Sequence, residues 1–226
     1  MRRRAAIAAL LTLLALIVAS AAVKAQARSG PVEAVVTDER GKPVADAIVT
    51  LTSPGTPAPA TPRVTVVMDQ HDKEFVPHVL PVYIGTPVSF PNRDNIRHHV
   101  YSFSSPKKFE LPLYIGTPAA PVLFDKPGVV ALGCNIHDWM LAYIYVVTTP
   151  YFAKTAADGK GRLDGLPPGT YEARVWQPRM RGGTDKTAQP VTLAAGELAQ
   201  VAFVVSLKAE WRVPRAPDSY KGAQGS

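Results

Sequence analysis

A short stretch in the second half of the chain carries three side chains that bind soft metal ions. Cys134 is the only cysteine among the 226 residues, and His137 and Met140 follow it on the same short stretch. A thiolate, an imidazole and a thioether, completed by a second imidazole from elsewhere, are the ligands of a mononuclear copper electron-transfer site. The adjacent His98 and His99 are the candidates for that second imidazole. The sequence therefore predicts copper as the cofactor.

The lone cysteine supports a metal-binding role on independent grounds. A single thiol cannot form an internal disulfide, so in an exported protein it pairs with another chain, stays reactive or binds metal. Pairing with another chain and oxidation of a free thiol are both harmful in an oxidising compartment. Coordination of a soft metal removes them, and the neighbours of Cys134 supply further ligands.

The N-terminus has the three parts of an export signal. Residues 1–4 are basic, residues 5–23 are apolar, and residues 25–27 match a small-residue cleavage site. We expect residues 1–27 to be a signal peptide and the mature chain to be periplasmic or secreted, with no membrane insertion after cleavage. The apolar run is also just long enough to span a bilayer, so an uncleaved anchor helix is the alternative.

Removal of the signal leaves a weakly charged protein. The signal contains four of the Lys and Arg residues and no acid, so the formal net charge falls from +7 to +3. That value is too small to indicate nucleic-acid or membrane binding, and no block of like charge remains. We therefore predict that nucleic acid is not a partner.

The remaining chain has the composition of an all-β protein. Its prolines and glycines, 22 and 16 in the whole sequence, separate short runs rich in strand-forming residues, and no stretch shows helical periodicity. The candidate strands include residues 31–37, 47–52, 64–69, 88–90, 99–103, 129–132, 142–147, 171–176 and 201–207.

Two pieces of the chain are too small to fold alone. Residues 31–52 supply only two strands, and about four strands follow Thr149, so neither piece closes a core. Residues 53–62 form a proline-rich segment that should run extended. The simplest solution joins the two pieces into one sandwich with the intervening block inserted. The predicted divisions are a signal peptide (1–27), the first half of a sandwich (28–60), an inserted domain (61–148), the second half of the sandwich (149–208) and a flexible tail (209–226).

The outer pieces resemble carboxypeptidase-regulatory-like domains. The resemblance is carried by residues 33–38, 41–44 and 47–51 in the first piece and by residues 157–159 and 163–171 in the second. Its motifs are mostly turn chemistry, with Asp-Gly pairs and Pro-Pro-Gly before a strand. The resemblance implies a small immunoglobulin-like or transthyretin-like β-sandwich and carries no function by itself.

The inserted block resembles the cupredoxins of the plastocyanin and amicyanin group. The matching stretches are residues 88–92, 98–100, 126–129 and 133–140. The Cys-x2-His-x2-Met spacing is that of the short amicyanin loop. The block is most similar to plastocyanin-like proteins known as methylamine utilization proteins, which combine a cupredoxin region with a regulatory-like sandwich. This resemblance implies a Greek-key β-sandwich with a type 1, or blue, copper site.

The resemblance also implies a ligand set for one copper ion that cycles between Cu(I) and Cu(II). In the family, the first histidine lies six residues after an asparagine, and this spacing from Asn92 selects His98. The implied ligands are then His98, Cys134, His137 and Met140.

Three further residues have assigned roles near this site. His99 stands where the family has a hydrogen-bonding asparagine, so it either supports the ligands or is itself the ligand in place of His98. Asn92 belongs to the same supporting group. Asp138 adds negative charge next to His137, which would lower the reduction potential if the carboxylate is desolvated.

The predicted function is one-electron transfer in the periplasm with an unidentified redox protein as partner. The sequence shows no arrangement of catalytic residues, so we do not expect an enzyme. A copper carrier without a redox partner is one alternative. The other is a recognition sandwich with a vestigial metal site.

Overall fold

A computed structural model describes residues 29–54 and 64–209. Within these ranges the chain is all-β, with a single 3-10 helix at Thr184–Thr187, which confirms the predicted fold class. The strands are β1 (Gly30–Asp38), β2 (Ile48–Thr52), β3 (Val66–Val67), β4 (Asp69–His71), β5 (Glu74–Val76), β6 (Val79–Tyr83), β7 (Thr86–Ser89), β8 (His98–Ser102), β9 (Phe109–Tyr114), β10 (Val122–Phe124), β11 (Gly128–Gly133), β12 (Leu141–Val147), β13 (Phe152–Lys154), β14 (Lys160–Leu166), β15 (Gly169–Trp176), β16 (Gln189–Leu193) and β17 (Ala199–Val205).

Some predicted segments lie outside the described residues. These are the export signal, residues 55–62 of the proline-rich segment and residues 210–226 of the tail. In the parts that are described, no helix has the length and apolar character needed to cross a membrane.

Strands from both ends of the described chain form one sandwich, which we name the terminal sandwich (residues 30–52 and 152–205). One sheet has the order β14-β1-β17 and the other β13-β2-β15-β16. Alternate residues of β1, namely Val32, Ala34 and Val36, have no exposed surface, as expected for a strand with one face on a core. Both β1 and β2 have a neighbour on each side, so the early strands lie inside sheets completed by the late ones.

The middle of the chain forms a second unit, the central sandwich (residues 66–147). Its larger sheet has the order β6-β12-β11-β8-β9, and its smaller sheet has the order β10-β7-β3. Phe90, Phe124 and Ile144 pack between the two sheets and are at most 1% exposed. The strands β4 and β5 form a separate hairpin, whose Gln70 pairs with Asn92 in the segment that follows β7.

The two sandwiches contact each other through a small apolar cluster. Ile48 of the terminal sandwich packs with Val79 and Val147 of the central one, and all three are buried. The Trp176 ring packs at a tilt against the Tyr145 ring, with centroids 4.8 Å apart. Because side chains alternate along a strand, β12 lines the central core with one face and contacts the terminal sandwich with the other.

The candidate ligands lie at one end of the larger central sheet. His98 begins β8, while Cys134 directly follows β11 and Leu141 begins β12. The pairs Gly133↔Tyr101 and Gly133↔Leu141 hold β8, β11 and β12 side by side at this end. The loop of residues 134–140 is therefore anchored at both ends by neighbouring strands.

Candidate metal centre

Three metal-binding side chains converge at this end of the central sandwich. One donor atom from each of His98, Cys134 and His137 lies within 4.8 Å of the other two. The Nδ1 atoms of the two histidines are 3.1 Å apart, and Cys134 Sγ lies 3.7 Å from His137 Nδ1. Two imidazoles and a thiol thus point towards one position.

The structure separates the two adjacent histidines. His98 has no exposed surface, and its ring packs against His137 with centroids 4.8 Å apart. The ring of His99 lies against Tyr101, and His99 Nε2 is 2.9 Å from Glu110 Oε1. Successive strand residues face opposite sides of a sheet, so β8 directs only one of the two rings to the thiol.

His99 still contributes to the centre through its backbone. Its backbone N–H group, like those of Ile136 and His137, lowers the pKa of the Cys134 thiol by hydrogen bonding. The Nδ1 atom of the His99 ring is buried and has no hydrogen-bond partner within the described part of the chain. The supporting role that the sequence analysis considered for His99 stays a prediction.

Met140 is buried beside the other candidates. It is 2% exposed, it packs in the same apolar cluster as Cys134, and its N–H group donates to His137 O at 2.9 Å. This hydrogen bond closes the turn between the two candidate ligands. Asp138 lies between them in sequence but is exposed to solvent.

A glycine precedes the thiol because an aromatic ring occupies the space next to it. A Cβ atom built on Gly133 would lie 2.7 Å from Tyr101 Cζ and 2.8 Å from its hydroxyl oxygen. A larger residue at this position would displace the Tyr101 ring or shift the strand that leads into Cys134. The packing of β8 on β11 therefore helps to set the position of the sulfur.

Asn92 fixes the segment that leads to His98. It is 4% exposed, and its Nδ2 atom donates to the carbonyl oxygens of Ile96 and Tyr114 at 2.9 and 2.8 Å. Its Oδ1 atom accepts a hydrogen bond from Asp94 N at 3.0 Å. The side chain therefore stabilises the loop between β7 and β8 from the inside.

Asp94 is a member of the site that the sequence analysis missed. Its Oδ2 atom lies 2.7 Å from His98 Nε2, the ring nitrogen that faces away from the thiol. An ionised carboxylate only accepts hydrogen bonds, so Nε2 carries a proton, and Nδ1 is the ring nitrogen on the side of Cys134 and His137. The available signal was that Asp94 is the only acid between β7 and His98. The sequence pattern did not show that the two side chains meet.

The electrostatics of the cluster favour a thiolate. Burial alone would raise the pKa of Cys134, but the hydrogen bond to His98 and the three backbone N–H groups hold that pKa below its usual range. Burial alone would lower the pKa of His98, but Cys134 and Asp94 raise it above the usual value. The pKa of His137 is lowered by burial and then by the charges of His98 and Lys73. A thiolate is the form of cysteine that binds metal.

Comparison with known proteins gives structural neighbours only. No protein-family model matches the chain, and no curated protein sequence matches it. A copper-containing nitrite reductase from Thermus scotoductus is 25% identical over 51% of this chain and 28% of its own, with a TM-score of 0.36. A purple cupredoxin from Nitrosopumilus maritimus is 20% identical over 37% of this chain and 98% of its own, with a TM-score of 0.31.

Amicyanin gives a similar result. A reduced Cu(I) form of an amicyanin variant is 22% identical over 43% of this chain and 99% of its own, with a TM-score of 0.34. All of these TM-scores are below 0.5, and the chain spans little more than a quarter of the nitrite reductase. The interpretation of the site accordingly rests on the donor geometry of this chain.

Proposed function

We propose that the chain binds one copper ion through His98, Cys134, His137 and Met140 and carries single electrons as a type 1 copper protein. The observation that carries the proposal is the convergence of one nitrogen from each of two imidazoles and one thiol sulfur within 4.8 Å of one another. A thiolate and two imidazoles with a weak thioether are the donors that such a centre needs. When bound, copper supplies a one-electron couple between Cu(I) and Cu(II).

The chain supplies the donors and limits their movement. Backbone N–H groups and His98 stabilise the thiolate of Cys134, and the carboxylate of Asp94 orients the His98 ring. The ends of β8, β11 and β12 anchor the donor segments. Electron transfer is fast when the ligands move little between the two oxidation states. Because the donor segments are anchored by paired strands, the chain restricts such movement.

Burial favours electron transfer over a carrier role. Cys134, His98 and Met140 are at most 3% exposed, so three of the four proposed ligands have almost no surface through which another protein could remove the metal. A carrier would need its ligands to exchange with those of a partner. The partly exposed ring of His137 leaves one edge of the site near solvent, where an electron can enter or leave.

The location and the partner are part of the same proposal. The composition of residues 1–27 supports export to the periplasm, where a redox protein would exchange electrons with the chain. The resemblance of residues 64–148 and of the flanking pieces to methylamine utilization proteins supports a cupredoxin inserted in a regulatory-like sandwich. We propose no catalytic activity.

The visible spectrum and the voltammogram of the copper-loaded protein test the proposal. We expect intense absorption from thiolate-to-copper charge transfer and a reversible one-electron wave. Cys134→Ala should abolish the absorption, because it removes the only thiol. Ser53→Ala, far from the site in sequence, is a control that should keep it. Copper uptake without this absorption in the parent protein would instead favour the carrier, and no uptake would favour a vestigial site.

A further inference from the structure

The hairpin of β4 and β5 contacts both segments that carry the proposed ligands. Its two-residue loop, Asp72 and Lys73, joins the paired residues His71 and Glu74. On one side the loop meets Asp94, which bonds to His98. On the other side, Lys73 O accepts a hydrogen bond from Trp139 Nε1 at 3.1 Å. The hairpin is therefore connected to the β8 segment and to the 134–140 loop.

The carboxylate of Asp94 accepts hydrogen bonds from three N–H groups. The backbone nitrogens of Asp72 and Lys73 lie 2.8 and 2.9 Å from its two oxygens, and His98 Nε2 lies 2.7 Å from one of them. Its side chain is 11% exposed. Because the backbone donors hold the carboxylate in place, the orientation of the His98 ring depends on the conformation of the hairpin loop.

The second connection reaches His137. The ring of Trp139 packs against the ring of His137 with centroids 5.1 Å apart, and its indole nitrogen is held by the carbonyl of Lys73. Lys73 thus donates through its N–H to the His98 side and accepts through its C=O from the His137 side. The backbone of Lys73 therefore connects the segment that carries His98 with the loop that carries His137.

The loop conformation is costly and needs compensation. Asp72 and Lys73 have φ angles of 54° and 58°, in the left-handed region that non-glycine residues rarely adopt. Two-residue hairpin loops of this kind favour Asn, Asp or Gly at the first position and Gly at the second, so the cost falls mainly on Lys73. The hydrogen bonds to Asp94 and from Trp139 offset this cost. Persistent local strain of this kind is held by the surrounding structure and is common at functional sites.

We propose that the Asp72–Lys73 loop is a backbone clamp that orients both histidines for the metal, with Asp94 and Trp139 as positioning residues. The inference rests on the proposed copper site. The clamp keeps the proton of His98 on Nε2 and keeps its Nδ1 atom directed at the thiol. It also fixes the 134–140 loop through Trp139. Residues that do not themselves bind the metal thus set the distance between the imidazoles of His98 and His137.

Asp94→Asn and Asp72→Asn in the full chain form a matched pair. Both remove one negative charge, one from the hairpin loop and one from the carboxylate that bonds to this loop, but only Asp94→Asn removes a carboxylate that holds His98. We expect Asp94→Asn to reduce Cu(II) affinity by about 10–100-fold, the usual effect of losing a partner of a metal-bound histidine. If Cu(I) affinity falls tenfold less, the reduction potential rises by about 59 mV. Asp72→Asn should leave both quantities close to those of the parent.

Two further variants separate hydrogen bonding from loop strain. Asp72→Gly removes the same charge as Asp72→Asn, retains the backbone N–H and relieves the left-handed conformation, so the reduction potentials of these two variants should match. Trp139→Phe removes the indole donor and one of the two fused rings but keeps an aromatic ring beside His137, and it should lower Cu(II) affinity by less than Asp94→Asn. In the Asp94→Asn/Trp139→Phe double variant the two effects should be non-additive, because both act through Lys73. Purely additive effects would contradict the clamp.

Amide hydrogen exchange of the metal-free protein provides a readout that needs no copper. We expect Asp94→Asn to speed exchange at the N–H groups of Asp72 and Lys73 and at the Trp139 indole, while Asp72→Asn leaves them protected. Unchanged exchange in Asp94→Asn, or equal potential shifts in the two Asp variants, overturns the clamp. If the parent takes up no copper, the proposed function fails, and hydrogen exchange alone decides whether the loop is held as we propose.

Discussion

The two sandwiches have similar architecture but bury different kinds of side chain. The core of the terminal sandwich consists mainly of Val, Ala and Leu, with a few larger apolar residues. The central sandwich buries Cys134 and Met140 in its core and places His98 and Gln70 beside it with no exposed surface. Burial of a polar group costs free energy unless it is hydrogen-bonded. Among the described residues, the terminal sandwich also buries the polar Thr155 and Gln177, whereas buried histidine and cysteine side chains occur in the central sandwich.

The two units also differ in how the chain builds them. The central sandwich uses one continuous stretch, whereas the terminal sandwich combines strands separated by more than a hundred residues. Its β1 lies between β14 and β17, and its β2 lies between β13 and β15. Removal of the early piece would therefore take an interior strand from each sheet, and not merely an edge.

The largest expected effect follows from that difference. Residues 149–208 alone should be unfolded, because both sheets lack an inner strand and a small open sheet cannot bury a core. Residues 61–148 alone should fold, since their strands are contiguous. The amide dispersion of each fragment in an NMR spectrum measures this. A well-dispersed spectrum from residues 149–208 would show that the late strands form an independent unit.

The adjacent histidines provide the next test. His98→Ala should eliminate the native copper spectrum, because it removes an imidazole that faces the thiol. His99→Asn should retain the spectrum, since the backbone N–H to Cys134 remains and the lost ring contacts, with Glu110 and Tyr101, point away from the thiol. Visible absorption of the two copper-loaded variants shows which of the two histidines binds the metal. The opposite pattern would mean that His99 is the metal ligand.

Cavity-creating substitutions in the two cores should both reduce stability but should differ in their effect on the reduction potential. Leu51 of the terminal core and Ile144 of the central core have no exposed surface. Substitution of either by Ala should reduce the free energy of unfolding by about 2–5 kcal/mol. We expect Leu51→Ala to leave the reduction potential unchanged and Ile144→Ala to alter it, because β12 leads out of the ligand loop. Urea unfolding combined with voltammetry measures both quantities. Equal shifts in potential would remove the functional distinction between the sandwiches.

The smallest effect is expected at the axial position. Met140→Leu preserves the size and apolar character of a side chain that is 2% exposed, so the fold should be retained. Copper should remain bound by the thiolate and the two imidazoles. Loss of the weak thioether favours Cu(I), so the reduction potential should rise. Voltammetry tests this, and an unchanged potential would show that Met140 does not interact with the metal.

Local sequence was sufficient for some features of this protein. The frequent turn residues and short strand-forming runs predicted an all-β chain, because turn chemistry depends on neighbouring residues. The spacing of Cys134, His137 and Met140 identified a candidate loop for the same reason. Strands of three residues, such as β5 and β10, had no predicted counterpart, since so short a segment carries no periodicity of its own.

Other features depended on contacts between distant segments. The sequence singled out Cys134 and left the choice between His98 and His99 open, because the facing of a strand residue is a matter of register. The pairing of β8 with β9 and β11 directs His98 to the thiol. Likewise, Asp94 meets His98, and Lys73 meets Trp139, only after the hairpin has packed against the central sandwich. The sequence by itself determined which metal-binding groups are present, and the tertiary structure decided how they are oriented.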